Sequence, residues 1–330
     1  MKILVRAPMS QDKLEELRNH FDEVVYSPWT ENGERYYEDE MLKVLCEVKP
    51  DILITELDRI TEKVLQGYDG LKVIGDCRAM PANIDIDACN AHHIPVLCTP
   101  GRNAQAVAEM LVGLLLSYMR RILPSVQWIK DGNWKDGTTP YYTWMGNELY
   151  GKRVGFVGFG AVGRSSAKLL EAFGCEINFY DPYVDFVKDS YKKLSLDEIF
   201  EQCDIVSIHL PVNDATKGII NKDLFKKMKK EAIFINTARS AVVNQKDLLD
   251  VVKQHAIKGV IMDVLENEPP TPSDLEITSY DWVLLTPHIC GATFEVTNHQ
   301  SDIIVSRLLQ WEKQMDLSSI VYNTCVIKDE

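Results

Sequence analysis

The sequence lacks paired cysteines, long apolar runs and any excess of basic charge, and each absence excludes a class of protein. None of the eight cysteines stands three residues from another, so we expect neither a metal site of zinc-knuckle type nor a dithiol redox pair. Eight cysteines in 330 residues are also too few for a disulfide scaffold, which favours free thiols in a reducing, cytoplasmic compartment. The longest strongly apolar run, Met110 to Leu116, is far shorter than the roughly 18 residues of a membrane span.

The charge balance argues against two kinds of partner. Lys and Arg number 36 against 49 Asp and Glu, which gives a formal net charge of −13. A nucleic-acid backbone and an anionic lipid surface both require clustered basic residues, so we expect neither nucleic acid nor membrane as a partner. A small anionic ligand is compatible with this charge, because a few local arginines can reverse the field inside one cleft.

Short apolar runs alternate with helical patterns along most of the chain, which is typical of βαβ units and a parallel sheet. The length favours two domains, and the alternation starts afresh at Lys152. Between the two series, the pattern from Asn103 to Leu123 predicts a long helix that is apolar on several faces. The Trp- and Tyr-rich segment from Trp128 to Tyr150 follows it, and either a partner-contacting arm or a plain surface loop fits that composition.

A glycine-rich turn, Gly158 to Gly163, matches the pattern GxGxxG. The pattern alone is weak, but here it follows the apolar run RVGFV, opens a helical run, and is followed by Asp181 at the end of the next strand. Gly158 permits the tight turn, Gly160 lets backbone N–H groups approach a pyrophosphate, and Gly163 lets the helix pack closely on the strand. The turn therefore predicts dinucleotide binding, whereas a purely structural turn beside an unrelated Asp is the alternative.

Asp181 predicts the choice of dinucleotide. Its carboxylate can accept hydrogen bonds from both hydroxyls of the adenine ribose and would repel a 2′-phosphate, so NAD is expected rather than NADP.

Three polar residues follow predicted strands at the edge where a doubly wound sheet binds its ligand. Arg239 offers a planar fork for a carboxylate, His288 can carry a proton, and Glu268 can orient the imidazole. Singly, each side chain fits a surface or turn position. Together they suit a 2-oxo acid, whose carboxylate must be fixed and whose oxygen must be protonated as hydride arrives. Asp263, also at a strand end, fits a structural role or a contact with the nicotinamide carboxamide.

The sequence resembles the D-2-hydroxyacid dehydrogenase family over nearly its whole length. The family includes phosphoglycerate dehydrogenases, hydroxypyruvate and glyoxylate reductases and D-lactate dehydrogenases. Six blocks carry the resemblance: GFVGFGAVGR (155–164), FYDP (179–182), SIHLPVNDATKGIIN (207–221), FINTARSAVVN (234–244), GVIMDVLENEP (259–269) and LLTPHICGAT (284–293).

The resemblance implies an α/β fold with two doubly wound parallel-sheet domains. A Rossmann NAD-binding domain (102–295) would be inserted into a discontinuous, flavodoxin-like substrate domain (1–101 and 296–330). It also implies a homodimer joined through the cofactor domain, which the long apolar helix and the Trp-rich segment would suit.

The resemblance also implies roles for individual residues. Arg239 would bind the substrate carboxylate, and Glu268 would pair with His288 as the acid/base. The residues expected to bind the cofactor are Gly158, Gly160, Ala161, Val162, Gly163, Asp181, Leu210, Pro211, Thr237, Ala238, Asp263, His288 and Gly291.

The chain departs from the family in one loop, Cys77 to Asn83. The family usually has a Gly-x-Gly loop there, whose N–H groups meet the substrate carboxylate, whereas Arg78 and Met80 replace both glycines here. We therefore expect a rebuilt substrate site at Arg78, Ala79 and Met80, with Arg78 a candidate for a second anionic group such as a phosphate. A solvent-facing Arg78 is the alternative.

The expected function is NAD-dependent hydride transfer between nicotinamide and a small, anionic D-2-hydroxy or 2-oxo acid. A phosphoglycerate-type or a hydroxypyruvate/glyoxylate-type substrate is favoured. The alternative is an NAD(H)-sensing binding or regulatory protein on the same scaffold, with little turnover, because a fold does not fix a function.

Overall fold

The computed structural model describes residues 1–31 and 33–327. The chain forms two compact units. Unit 1 contains Met1–Arg102 and the chain from Thr293 onward, and unit 2 contains Asn103–Ala292. These divisions lie close to the predicted domain boundaries, although residues 328–330 of the predicted substrate domain lie outside the described residues. The assignment of substrate and cofactor to the two domains stays a prediction.

The first part of unit 1 alternates strands and helices. Its elements are β1 (Lys2–Val5), α1 (Gln11–His20), β2 (Glu23–Tyr26), α2 (Glu38–Val48), β3 (Ile52–Thr55), α3 (Glu62–Gly67), β4 (Val73–Asp76), α4 (Ile86–Ala91) and β5 (Val96–Cys98), with a 3-10 turn at Trp29–Glu31. The strands form a parallel sheet in the order β2-β1-β3-β4-β5, which is the flavodoxin-like order. Both faces of the central strands are covered, so those strands are continuous apolar runs.

Unit 2 begins with helices and then builds the larger sheet. Its elements are α5 (Ala104–Met119), α6 (Ile122–Lys130), α7 (Pro140–Thr143), β6 (Arg153–Val157), α8 (Ala161–Ala172), β7 (Glu176–Tyr180), β8 (Lys192–Lys193), α9 (Leu196–Gln202), β9 (Ile205–Ile208), α10 (Lys222–Phe225), β10 (Ile233–Asn236), α11 (Gln245–Lys253), β11 (Gly259–Met262) and β12 (Val283–Leu285), with 3-10 turns at Ser240–Val242 and Asp274–Ser279. The parallel order is β12-β11-β10-β9-β6-β7-β8. Strand order therefore reverses beside β6, which is the switch point of a Rossmann sheet.

The chain then returns to unit 1. Helices α12 (Glu295–Glu312) and α13 (Leu317–Ile320) are followed by a 3-10 turn at Thr324–Val326. Ile304, Val305 and Leu308 of α12 pack into one apolar core of the unit 1 sheet. The prediction of two doubly wound parallel sheets is confirmed.

Three local features differ from the sequence interpretation. The predicted helix from Asn103 to Leu123 is two helices, because Arg121 adopts a left-handed conformation (φ 54°) between α5 and α6. The edge strands β2 and β8 were not predicted, since their residues are exposed or only partly buried and form no strong apolar run.

Within the described part of the chain, no helix is both long enough and apolar enough to cross a bilayer.

Candidate active site

The glycine-rich turn joins β6 to α8 in unit 2. Gly158 has φ 92°, and a Cβ there would lie 2.7 Å from the backbone oxygen of His209, so only glycine fits. A Cβ on Gly163 would meet the Gly158 oxygen at 2.7 Å, which reflects the close approach of helix and strand. Gly160 differs, because a Cβ there would meet nothing within 4 Å. The space above Gly160, at the N-terminus of α8, is open.

Asp181 closes the turn from the neighbouring strand. It follows β7, and its carboxylate oxygens accept hydrogen bonds from the backbone N–H groups of Phe159 and Tyr183, each at 2.8 Å. Each carboxylate oxygen has a further lone pair, so this carboxylate can also accept from ribose hydroxyls.

His209 is a residue of this edge that the sequence analysis missed. It follows β9, its Nε2 lies 2.9 Å from Ser207 Oγ, and its ring lies against Phe156. Burial lowers its pKa to about 4, so the imidazole stays neutral near neutral pH and brings no charge beneath the Gly158 turn. The signal was a histidine standing between an apolar strand and Leu210-Pro211.

The segment after β10 presents Arg239 from a tight turn. The Asn236 side chain accepts a hydrogen bond from Ala238 N and donates one to the Arg239 backbone oxygen, so it fixes the turn at both ends. Arg239 is exposed, and its guanidinium donates to the Ala238 oxygen at 2.7 Å. Within the described residues it forms no ion pair with a carboxylate, so its fork can take an external anion.

Asp263 fixes the segment after β12. It is 1% exposed, and its two carboxylate oxygens accept hydrogen bonds from the backbone N–H groups of Ile289 and Cys290, at 2.9 and 2.8 Å, and from the Thr286 hydroxyl. This carboxylate is committed to protein donors on both oxygens. The observed contacts are structural, and the contact with the nicotinamide carboxamide stays a prediction.

His288 lies at the centre of the segment that Asp263 holds. Its backbone is left-handed (φ 56°), and its Nδ1 lies 2.6 Å from Glu268 Oε2. The other Glu268 oxygen accepts a long hydrogen bond from Leu265 N at 3.3 Å. Because Nδ1 is engaged and the ring is exposed, Nε2 is the nitrogen that can exchange a proton with a bound molecule.

These side chains follow adjacent strands of one sheet. Arg239 follows β10, Asp263 follows β11 and His288 follows β12, and these strands are paired in that order. Neighbouring strands lie about 4.8 Å apart, so the guanidinium and the imidazole emerge at one edge, about two strand spacings from each other.

The residues at this edge fit a dinucleotide. The hydroxyl of buried Thr237 has no partner, and the open space above Gly160 adjoins the N-terminus of α8, where phosphate charge is favoured. Leu210 is buried and Pro211 is exposed at the same edge. Gly291 is packed against Asn103, whose Nδ2 would lie 2.7 Å from an added Cβ.

The loop from Cys77 to Asn83 belongs to unit 1 and follows β4. Arg78 is half-buried, whereas Ala79 and Met80 are exposed. Arg78 and Met80 have no positive φ, so the backbone of this loop accepts side chains where the family has glycines. Among the described residues, the Arg78 guanidinium has no carboxylate partner. No group of three or more His, Cys, Asp or Glu side chains in the described ranges could hold a metal ion.

Comparison with known proteins agrees with this geometry. Residues 112–290 match the model of the NAD binding domain of the D-isomer specific 2-hydroxyacid dehydrogenases. The chain belongs to this family. The recognition from sequence, the enzyme class and the NAD cofactor are confirmed.

Relatives extend the match along the chain. YoaD of Bacillus subtilis (strain 168), whose name places it among the 2-hydroxyacid dehydrogenases, is 46% identical over 99% of this chain and 96% of its own. A hydroxypyruvate reductase of Thermotoga maritima is 31% identical over 94% of this chain and 97% of its own. The crystal structure of the TT0316 protein from Thermus thermophilus has a TM-score of 0.79 and 28% identity, covering 98% of this chain and all of that one.

Two glycine variants separate a folding role from a ligand role. We expect Gly158→Ala to destabilise the protein and to weaken NADH binding, because positive φ and the His209 backbone exclude a Cβ. Gly160→Ala should leave the melting temperature unchanged, since nothing lies within 4 Å, yet weaken NADH binding about ten-fold or more by filling the open space.

The control is Gly113→Ala in α5, where an added Cβ also meets nothing within 4 Å. Thermal unfolding and fluorescence titration with NADH measure both effects. Unchanged NADH affinity in Gly160→Ala would contradict phosphate binding at this turn.

Proposed function

We propose that this chain catalyses the reversible reaction of a 2-oxo acid, NADH and a proton to give a D-2-hydroxy acid and NAD⁺. The observation that carries the proposal is the 2.6 Å contact between His288 and Glu268 at the sheet edge from which Arg239 also emerges. Nicotinamide, when bound, supplies the hydride to the carbonyl carbon or takes it back.

The side chains of this chain bind, orient and move the proton. The Arg239 fork pairs with the substrate carboxylate and draws electron density from the neighbouring carbonyl. His288 Nε2 gives its proton to the carbonyl oxygen and recovers it in the opposite direction. Glu268 holds Nδ1, and Asp263 holds the backbone on which the imidazole stands. We assign the Gly158–Gly163 turn, Asp181, Thr237 and Ala238 to binding of the cofactor, with NAD preferred over NADP.

A direct test mixes the purified protein with NADH or NADPH and a panel of 2-oxo acids: glyoxylate, pyruvate, hydroxypyruvate and phosphohydroxypyruvate. We expect loss of NADH absorbance with at least one acid, and slower loss of NADPH. A protein that binds NADH but oxidises it with no acid of the panel would instead support the NAD(H)-sensing alternative. The complete set of Arg239, Glu268 and His288 favours the enzyme.

Removal of the His288 imidazole and removal of the Arg239 guanidinium should change kcat and KM in different ways. We expect His288→Ala to lower kcat roughly 10²- to 10⁴-fold, because the proton donor is lost. Arg239→Ala should raise KM and also lower kcat, since the substrate is neither held nor polarised, and Arg239→Lys should restore little because an ammonium lacks the fork.

The controls are His92→Ala, which removes an imidazole 3.5 Å from Glu62 in unit 1, and Arg153→Ala, which removes an exposed guanidinium at the start of β6. Steady-state kinetics give the comparison. A His288→Ala enzyme that reduces 2-oxo acids at the wild-type rate would overturn the acid/base assignment.

We propose that Arg78 binds a second anionic group of the substrate, with Ala79 and Met80 beside it. A half-buried guanidinium without a carboxylate partner in the described residues supports this assignment. We expect Arg78→Ala to raise KM for phosphohydroxypyruvate about ten-fold while KM for glyoxylate changes little. The control is Arg35→Ala, an exposed arginine that contacts Tyr37. Equal kinetics of Arg78→Ala and wild type on every accepted acid would remove the proposal.

We also propose a homodimer joined through unit 2, in the cytoplasm. Helix α6 exposes Ile122, Leu123, Val126 and Ile129, and the following segment exposes Trp134, Tyr141, Tyr142 and Met145. An apolar surface of this extent is typical of a protein interface. All eight cysteines are free thiols, as suits a reducing compartment.

A double substitution tests the dimer. We expect wild type to sediment as a dimer and Leu123→Glu with Ile129→Glu to sediment as a monomer, because both charges enter an apolar contact. Gln127→Glu is the control, since Gln127 is an exposed polar residue of the same helix. A monomeric wild type at micromolar concentration would contradict the proposal.

A further inference from the structure

Unpartnered polar atoms are buried beneath the Cys77–Asn83 loop of unit 1. Asp76 ends β4 between Thr55 of β3 and Cys98 of β5, and it is 0% exposed. Its Oδ2 has no hydrogen-bond partner, and neither has Oδ1 of Asn83, which is 6% exposed at the far end of the loop. Two buried acceptors that both lack a donor are costly.

The two side chains already meet through their other atoms. Asn83 Nδ2 lies 3.5 Å from Asp76 Oδ1, and it also donates to the backbone oxygen of Asp58 at 3.0 Å. An ionised Asp76 could accept a hydrogen bond from the Asn83 amide N–H. It could not donate one to Asn83 Oδ1, because a carboxylate has no hydrogen-bond donor. A carboxylic acid has one O–H donor and would complete the set.

We propose that Asp76 is a neutral carboxylic acid that pairs reciprocally with the Asn83 amide and so acts as a positioning residue for the Arg78 loop. In this pair the amide N–H donates to Asp76 Oδ1, and the acid O–H on Oδ2 donates to Asn83 Oδ1. Asp76 Oδ2 and Asn83 Oδ1 each gain a hydrogen-bond partner. The residue before the loop is thereby joined to the last residue of the loop. Its effect on substrate rests on the proposed function, whereas the pair itself does not.

The surrounding charges agree with a neutral Asp76. Burial raises its pKa to about 8, against the opposing effects of Arg78, the Asn83 hydrogen bond and Arg102. Glu56 raises it further, although Glu56 itself is paired with Arg102 at 2.5 Å. Asp58 is neutralised by buried Arg6 at 3.3 Å, and burial keeps Cys77 and Cys98 as thiols.

Short backbone links join Arg78 to the strand that ends in Asp76 and to its neighbours. Cys77 N donates to the Thr55 oxygen, and the Arg78 oxygen accepts from Thr99 N, both at 2.8 Å. Arg78 stands two residues beyond the acid, and the start of the loop is tied to the end of β3 through Cys77 and to the residue after β5 through Arg78. Ionisation of Asp76 would break the reciprocal pair and place a buried negative charge under the loop.

The first arm of the test needs no substrate. We expect the infrared spectrum of wild type at about pH 6 to contain the carbonyl band of a buried protonated carboxyl group, which is missing from Asp76→Asn. Since the raised pKa means that folding takes up a proton, Asp76→Asn should also gain melting temperature relative to wild type as pH rises from about 4 to about 8. Absence of the band from wild type would overturn the pair.

The second arm tests positioning. Asparagine can form the same reciprocal pair without titrating. Asp76→Asn should therefore keep the wild-type KM for phosphohydroxypyruvate at about pH 7 and hold it at about pH 9, where the wild-type KM for this acid rises. Asp76→Leu should raise KM about ten-fold at both values, with kcat and NADH affinity unchanged. If Asp76→Leu does not fold, the KM profile of Asp76→Asn decides.

The outcomes separate the two proposals. A KM profile of Asp76→Asn that follows wild type would overturn the positioning role. A wild type without turnover would contradict the proposed function and the positioning role with it, while the infrared band would still decide the acid–amide pair.

Discussion

The buried carboxylate of Asp263 is the contact on which the catalytic edge depends. It gathers two backbone N–H groups and a hydroxyl from the segment after β12, and so holds His288 in a left-handed conformation that would otherwise be costly. The imidazole then meets Glu268 at 2.6 Å, with Nε2 free. Arg239 depends on a similar device, since Asn236 ties its turn at both ends. The buried polar groups at this edge are neutral, as His209 is, or hydrogen-bonded, as Asp263 is. The exposed guanidinium of Arg239 is therefore available to a ligand.

The net charge of −13 does not conflict with an anionic substrate. Arg239 has no carboxylate partner in the described residues, so its guanidinium presents its positive charge locally. Two acidic side chains at this edge are engaged with protein groups, because Asp263 accepts hydrogen bonds from the backbone and Glu268 contacts the imidazole. The electrostatic field of a site therefore depends on which charges are already paired, and not on the total.

Much of the fold, and the polar residues at the carboxyl ends of β10, β11 and β12, could be predicted from the sequence because both follow from local patterns. Apolar runs gave the central strands, and GxGxxG with a downstream Asp gave the turn at Gly158. The remainder depends on contacts distant in the chain. No local pattern reports that Ile289 and Cys290 donate to Asp263, that Asp76 and Asn83 have unpartnered atoms, or that Arg121 breaks a helix. The edge strand Lys192–Lys193 has no apolar residue and forms only by pairing with β7.

The central claim is that NADH delivers hydride to one face of a 2-oxo acid whose oxygen takes its proton from His288. The most direct measurement uses NADH deuterated at nicotinamide C4 with pyruvate or hydroxypyruvate, followed by determination of the label and the configuration of the product. The account predicts a hydroxy acid of D configuration with deuterium at C2. A product of L configuration or a product without the label would contradict it.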